Sequence, residues 1–298
     1  MPSCLVRRDE WRMLMGASEP GYQLGSNAIE LERLKHQGGV LAPATRTILQ
    51  TAGIRPGMRV LDLGSGTGDV TFVAAELVGA SGEVVGMDRS AEAVATAEAR
   101  AQQHQLGNVR FVTGDIHEAA TGGQFDAIVG RLVLMYVSDP AAVLRTQAAL
   151  LRPGGVVAPI EFDLRSARSL PPTPLVGQSL EWLLEAFERA GIQPSLGPRL
   201  WATLLEAGLR PLGMIGIQPH FGPQDPDGPA ILSGIVRAVL PLMERTGVAT
   251  AQEVGIETLQ RRLTDELVGN GAVFAHPILL SAWGSAAEPE GSRHGSSL

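Results

Sequence analysis

The spacing of apolar positions changes period several times along the chain, and each change marks an element. From Ser26, Ile29, Leu31 and Leu34, then Leu41, Ile48 and Leu49, recur at helical spacing, with Gly38-Gly39 and Pro43 expected to break the run. Ser26 or Asn27 is a candidate cap, with Glu30 near the capping-box position. Arg55-Pro56-Gly57 reads as a turn. Short apolar runs then alternate with helical stretches. The pattern predicts strands over 58–63, 83–87, 109–113, 125–129 and 156–162. It predicts helices over 69–78, 91–105 (capped by Ser90) and 140–151. Such alternation with short connections predicts an α/β fold: a doubly wound, mostly parallel sheet covered on both faces.

Beyond residue 163 the pattern loosens. Pro171, Pro172 and Pro174 precede predicted helices over 176–190 and 199–207 and a strand over 212–220. A turn cluster at 223–229 leads into two expected helices within 230–268, and a last strand falls within 272–283. The expected organisation is an N-terminal arm with capping helices (1–52), a core (53–163), lid helices with the last strands (164–284) and a disordered tail (285–298). Trp182, Leu183, Leu184 and Phe187 read first as ordinary packing and second as the roof of an apolar pocket.

Composition narrows the chemistry. Hydrophobic residues make up 44% of the 298, enough to bury a sizeable core and to exclude global disorder. Aromatics are only 4% and the net charge is −7, which argues against a nucleic-acid partner. Lys35 is the only lysine; biased genome composition explains it better than function. Cys4 is the single cysteine, so no intramolecular disulfide, cysteine zinc site or radical iron–sulfur cluster is available. The charged start lacks the apolar core of a signal peptide and no run of 18 apolar residues occurs, so the expectation is a cytoplasmic protein without a membrane partner.

The strongest motif is Val60-Leu61-Asp62-Leu63-Gly64-Ser65-Gly66-Thr67-Gly68, at the junction of the first predicted strand and the helix after it. Glycines there let a ligand approach the backbone, and the helix start offers free N–H groups. The spacing is Gly64-x-Gly66-x-Gly68, and position 69 is Asp where a dinucleotide fingerprint places its third glycine. Asp62 lies two residues before the first glycine, and Asp88 ends the next strand, placed to accept a ribose diol. Gly114-Asp115-Ile116 follows the third strand and adds a carboxylate at the same rim.

These stretches, together with VVGMD (84–88), VRFVTGD (109–115), FDAIVGRLVLMYVSDP (125–140) and LLRPGGVV (150–157), resemble the class I S-adenosylmethionine-dependent methyltransferases. The likeness spans residues 22–163 and is strongest to small-molecule enzymes of the quinone C-methyltransferase and natural-product tailoring type. It implies a seven-stranded Rossmann-like sheet with inserted lid helices, S-adenosylmethionine as cofactor and a small-molecule substrate. By that resemblance the cofactor site comprises Asp62, Gly64, Ser65, Gly66, Gly68, Met87, Asp88, Arg89, Asp115, Ile116 and Arg131, with Gln37 and Tyr22 in the capping segment.

Methyl transfer needs in-line attack at about 3–3.5 Å, and an acidic acceptor can require a general base. Glu161, after the fifth strand, is a candidate to position or deprotonate substrate, against a structural acceptor reading. His117 and Tyr22 are the other catalytic candidates, His117 weighed against an ordinary loop histidine. Tyr136, His220 and His276 read as structural, and His36 is undecided. No Asn/Asp-Pro-Pro-Tyr sequence follows the fourth strand, no cysteine lies near the motifs, and no carboxylate cluster has metal spacing, so no metal is expected. The accepting atom (carbon or oxygen before nitrogen) stays open, as does oligomeric state, with a dimer among the options. The alternatives are a methyltransferase-like cyclase that keeps the pocket and an NAD(P)-dependent oxidoreductase.

Overall fold

The computed structural model describes residues 28–120 and 123–286. Helix α1 (Ala28–Thr51) is continuous, although Gly38-Gly39 and Pro43 were expected to interrupt it. Close packing explains the glycine. A Cβ on Gly38 would lie 2.6 Å from Asp69 Oδ2, so only glycine lets α1 approach helix α2 (Asp69–Val78) this closely. Leu41, Ala44, Ile48 and Leu49 are buried and hold the helix against the sheet through Pro43.

The chain then alternates as expected: β1 (Arg59–Leu63), α2, β2 (Glu83–Asp88), α3 (Ala91–Gln103), β3 (Val109–Thr113), β4 (Phe125–Arg131), α4 (Pro140–Ala148) and β5 (Leu151–Asp163). Strand β5 begins five residues before the expected start. Its pairing with β4 shifts register between Phe125 and Ala127, which absorbs the Pro153-Gly154-Gly155 turn into an irregular strand. After β6 (Arg168–Leu170) come α5 (Pro174–Arg189), α6 (Leu200–Glu206), β7 (Leu209–Ile217) and β8 (His220–Phe221). The last elements are α7 (Asp227–Thr246), α8 (Ala251–Val254), α9 (Leu259–Asn270), β9 (Val273–Ala275) and β10 (Ile278–Ala286).

The main sheet has seven strands in the order β3-β2-β1-β4-β5-β10-β7. Strands β1 to β5 pair in parallel, and β10 runs antiparallel between β5 and β7. This is the mostly parallel, doubly wound sheet of the sequence reading. One apolar cluster packs α1 and α2 on one face and another packs α4 and α6 on the other. The carboxyl ends of β1, β2, β3, β4 and β5 therefore open at one rim, where such sheets bind ligands.

Two insertions stand beyond that rim, one after β5 and one between β7 and β10. They join in a three-stranded antiparallel sheet, β6-β9-β8, and share their own core. The small sheet was not foreseen, since strands of two or three residues carry no usable period. Three helices stand where two were expected; α8 is a single turn closed by a capping box between Thr250 and Glu253. Leu183 and Phe187 are buried in this second core, with Trp182 and Leu184 packed against it. No helix among the described residues is long and apolar enough to cross a membrane.

Candidate active site

The turn after β1 is built from left-handed backbone. Gly64, Gly66 and Gly68 have φ of 61°, 52° and 96°. A Cβ on Gly64 would fall 2.5 Å from Val133, while one on Gly66 meets nothing within 4 Å among the described residues, so a ligand can reach the backbone there. The neighbouring strand locks the turn: Ser65 N–H donates to Met87 C=O at 2.9 Å, and Gly66 N–H donates to Asp88 Oδ2 at 2.8 Å. Asp88 Oδ1 accepts from Ser90 N–H at 2.9 Å. The carboxylate is thus oriented by two backbone donors and stays partly accessible.

Behind the turn lies a buried polar cluster. Asp62 is 1% exposed; its Oδ2 accepts from Thr71 Oγ1 at 2.6 Å, while its Oδ1 has no partner among the described residues. Ser65 Oγ is also buried without a partner among the described residues. Burial pushes the Asp62 carboxyl up to about 7, against the opposing effects of the Thr71 hydrogen bond and the Arg131 charge. Arg131, at the end of β4, donates to Thr45 Oγ1 of α1 at 2.7 Å. Arg100 of α3 donates to Thr67 C=O at 2.6 Å and pairs with Asp69 of α2 at 2.9 Å, so two helices brace the glycine turn.

At the third strand, Asp115 Oδ1 accepts from the His117 backbone N–H at 2.9 Å and lies 2.7 Å from His117 Nδ1. The His117 backbone N–H, chiefly, holds the Asp115 carboxyl below its ordinary value; the His117 ring and the Arg89 charge also contribute. Gln147 of α4 donates to the carbonyls of Ile116 and Glu118 at 2.7 and 2.6 Å, fixing this turn from below. The His117 side chain is half exposed.

Glu161, expected as a candidate to position or deprotonate substrate or else as a structural acceptor, engages backbone donors with one oxygen and leaves Oε2 without a partner among the described residues. It is fully buried, and its Oε1 accepts from the Val133 and Leu134 N–H groups at 3.0 and 2.7 Å. The cause is strand alternation. Ile160 and Phe162 face α1, so Glu161 faces the opposite side, beneath the one-turn helix Leu134–Tyr136. Burial pushes its carboxyl up to about 8, only partly offset by those N–H groups. Tyr136 is 41% exposed and is not part of a core.

The rim thus gathers Asp62, Gly64, Ser65, Gly66, Gly68, Met87, Asp88, Arg89, Asp115, Ile116 and Arg131 at the ends of β1 to β4. Tyr22 lies outside the described residues, and Gln37 lies in α1 with its side chain outside them. Sequence reasoning missed Thr45, Thr71, Arg100 and Gln147. Only Thr71 had a signal, a hydroxyl one helical turn into the segment that follows the glycines.

The arrangement suits a cationic, ribose-bearing cofactor. A buried carboxylate with a bare oxygen and a bare hydroxyl flank the open glycine, and a second carboxylate stands at the next strand end.

A family model described as "Methyltransferase domain" matches residues 54–188. The trans-aconitate 2-methyltransferase of Deinococcus radiodurans is 31% identical over 234 residues, 76% of this chain and 86% of that protein. An arsenite methyltransferase of Aquipseudomonas alcaligenes is 41% identical over 125 residues, 39% of this chain and 34% of that protein. The chain likewise spans less than half the length of other curated relatives it matches. Among solved structures, the cyclase SpnF superposes with a TM-score of 0.54 at 18% identity, covering 83% of this chain and 81% of that one. That likeness concerns the fold alone.

Proposed function

The chain belongs to the class I S-adenosylmethionine-dependent methyltransferases, and on that premise we propose that it methylates a small, neutral, largely apolar acceptor at carbon or oxygen. The observation that carries the cofactor half is the pair of unpartnered buried atoms, Asp62 Oδ1 and Ser65 Oγ, beside the open Gly66. When bound, S-adenosylmethionine supplies an electrophilic methyl carbon on a positively charged sulfur.

In this proposal the residues divide the work of binding. Asp62, Ser65 and the glycine turn hold the amino-acid end, and Asp88 accepts from the ribose hydroxyls. Met87 and Ile116 contact the adenine, Asp115 lies at its edge, and Arg89 stands beside Asp88. Arg131 tethers α1 to the rim through Thr45, and Gln37 and Tyr22 would help to cap the cofactor. Glu161 anchors the loop after β4 by accepting from its backbone N–H groups. His117 stands at the mouth and orients Asp115. Holding acceptor and methyl donor in line supplies the main rate gain.

Two features support a neutral acceptor. A soft metalloid calls for thiolate ligands, and the only cysteine of these 298 residues is Cys4. A polycarboxylate calls for arginines turned inward. Arg165, Arg189 and Arg237 of the two insertions instead pair with Glu188, Glu185 and Glu257, and Arg262 donates to backbone carbonyls. The test is calorimetric titration with S-adenosylmethionine and S-adenosylhomocysteine. Both are expected to bind, and Asp88→Ala is expected to weaken binding at least about tenfold, the scale of a lost charge-assisted hydrogen bond. No binding of either compound by the parent chain refutes the proposal.

A further inference from the structure

The main sheet ends on β7, whose outer edge pairs with no strand among the described residues. Free edges are usually blunted by charge, twist or a cover. Here Pro211 and a bulge at Leu212, which the register with β10 skips, blunt only the first half of the strand. From Gly213 to Ile217 the pairing with β10 is regular, and these residues carry no charge.

Exposed apolar surface collects at this edge. Of the seven exposed large hydrophobic side chains among the described residues, four belong to β7 and to α6, which packs on it: Leu212, Met214, Trp201 and Leu205. Leu200 and Leu204 anchor α6 to the sheet, so Trp201 and Leu205, one turn apart, are left on its outer side. Single exposed apolar residues are ordinary, but a group of them beside an open strand marks a contact surface.

The strand itself indicates what covers it. Gly213-Met214-Ile215-Gly216-Ile217 complements its own reverse. In an antiparallel pair of two copies centred on Ile215, Met214 lies opposite the second copy's Gly216, and Ile217 opposite its Gly213, so each flanking large side chain meets a glycine. Neither glycine leaves a hole. A Cβ on Gly213 would lie 2.2 Å from Trp283, and one on Gly216 3.0 Å from Leu280, so these β10 side chains reach across β7 and offer apolar contact on both faces.

Such a pair has its two-fold axis perpendicular to the sheet, which keeps each face on its own side and reverses every direction in the plane. Helix α6 therefore meets its copy antiparallel on the same face. Trp201 and Leu205 meet their counterparts, and exposed Arg199, just before the helix, comes opposite exposed Glu206 at the far end of the other copy. Charge and side-chain size thus match under one symmetry operation. The chain's own tail is a poorer occupant, since it leaves β10 at Ala286 for Glu288-Pro289-Glu290, with charges and a proline in place of apolar alternation.

From this geometry we propose that the free edge of β7 and the outer side of α6 form the docking surface for a second copy of this chain, the two main sheets joining antiparallel through residues 213–217.

Sedimentation of the full chain from about 1 to 100 µM tests this, the range in which modest interfaces dissociate. The parent chain is expected to reach the mass of a dimer within it. Arg199→Glu and Glu206→Arg each set like charges together at both ends of the helix pair, and each is expected to weaken the dimer at least about tenfold. An equal mixture of the two variants restores it, because every reversed charge then faces an opposite one. In a Cys4→Ser background, Ile215→Cys stands directly opposite its copy and is expected to cross-link on oxidation. Met214→Cys, offset from its copy by two residues, does not. A monomer at every concentration, which is the result if residues 1–27 or 287–298 cover the edge, overturns the proposal. So does a dimer that ignores both charge reversals, no recovery on mixing, or cross-linking through Met214→Cys in place of Ile215→Cys.

Discussion

Single residues in this protein were legible in type before they were legible in direction. Asp62, Asp88 and Asp115 stand where their places at strand ends required, because a strand end beside a glycine or a turn leaves a short carboxylate little choice of place. Glu161 also ends a strand, yet the pleat turns it away from the rim and buries it under Val133 and Leu134. Its carboxyl, raised from 4.5 to about 8, binds a proton in the native state that the unfolded chain has released over that interval. Glu161 thus makes stability fall as pH rises from 4.5 to 8, with the loss complete above 8. Glu161→Gln keeps the oxygen that receives both N–H groups and cannot ionise. The variant is expected to gain roughly 1–3 kcal/mol on the parent between pH 5 and pH 8. Urea denaturation at the two pH values measures this, and a parallel pH response of the two chains contradicts it. Asp62 is common to both chains and cancels.

Between elements, contact distance decides what composition leaves open. Gly38 and Gly39 are adjacent in sequence and look equivalent, and both were expected to end a helix. Among the described residues a Cβ on Gly39 meets nothing within 4 Å, whereas one on Gly38 collides with an Asp69 carboxylate already engaged by Arg100. Gly39→Ala is therefore expected to stabilise by about 0.5–1 kcal/mol, the helical cost of glycine. Gly38→Ala has the opposite sign, by about 1 kcal/mol net, since overpacking outweighs the same helical gain. Equal shifts in urea midpoint for the two variants count against the proposed role of Gly38. The same contact explains why Arg100, Thr45 and Gln147 escaped sequence reasoning. Each is an ordinary helix residue that acquires a task only because α3, α1 and α4 arrive beside the rim from 29 to 86 residues away.

At the scale of the molecule, a sheet and a pair of joined insertions with separate cores meet at one rim. A ligand that binds the native state alone stabilises the whole by mass action. S-adenosylhomocysteine at a hundred times its dissociation constant is expected to contribute about 2.7 kcal/mol, which raises Tm by several degrees for a chain of this size. Thermal scans over a concentration series check this; a Tm independent of ligand rules out binding to the native state. Asp88→Ala should flatten the series without removing the fold, because Ser65 N–H still donates to Met87 C=O and Ser90 still caps α3.

Sequence alone determined the parallel core, the glycine turn with its three strand-end carboxylates, and the family. Each follows from local rules: apolar runs too short for anything but buried strands, glycines where φ is positive, and acids at the ends of strands. Tertiary structure alone decided which way Glu161 points, why α1 runs unbroken, how two distant insertions form one small sheet, and that His276 lies buried between that sheet and the main one. Those outcomes depend on what another part of the chain brings within a few ångströms, and no local period or spacing encodes that.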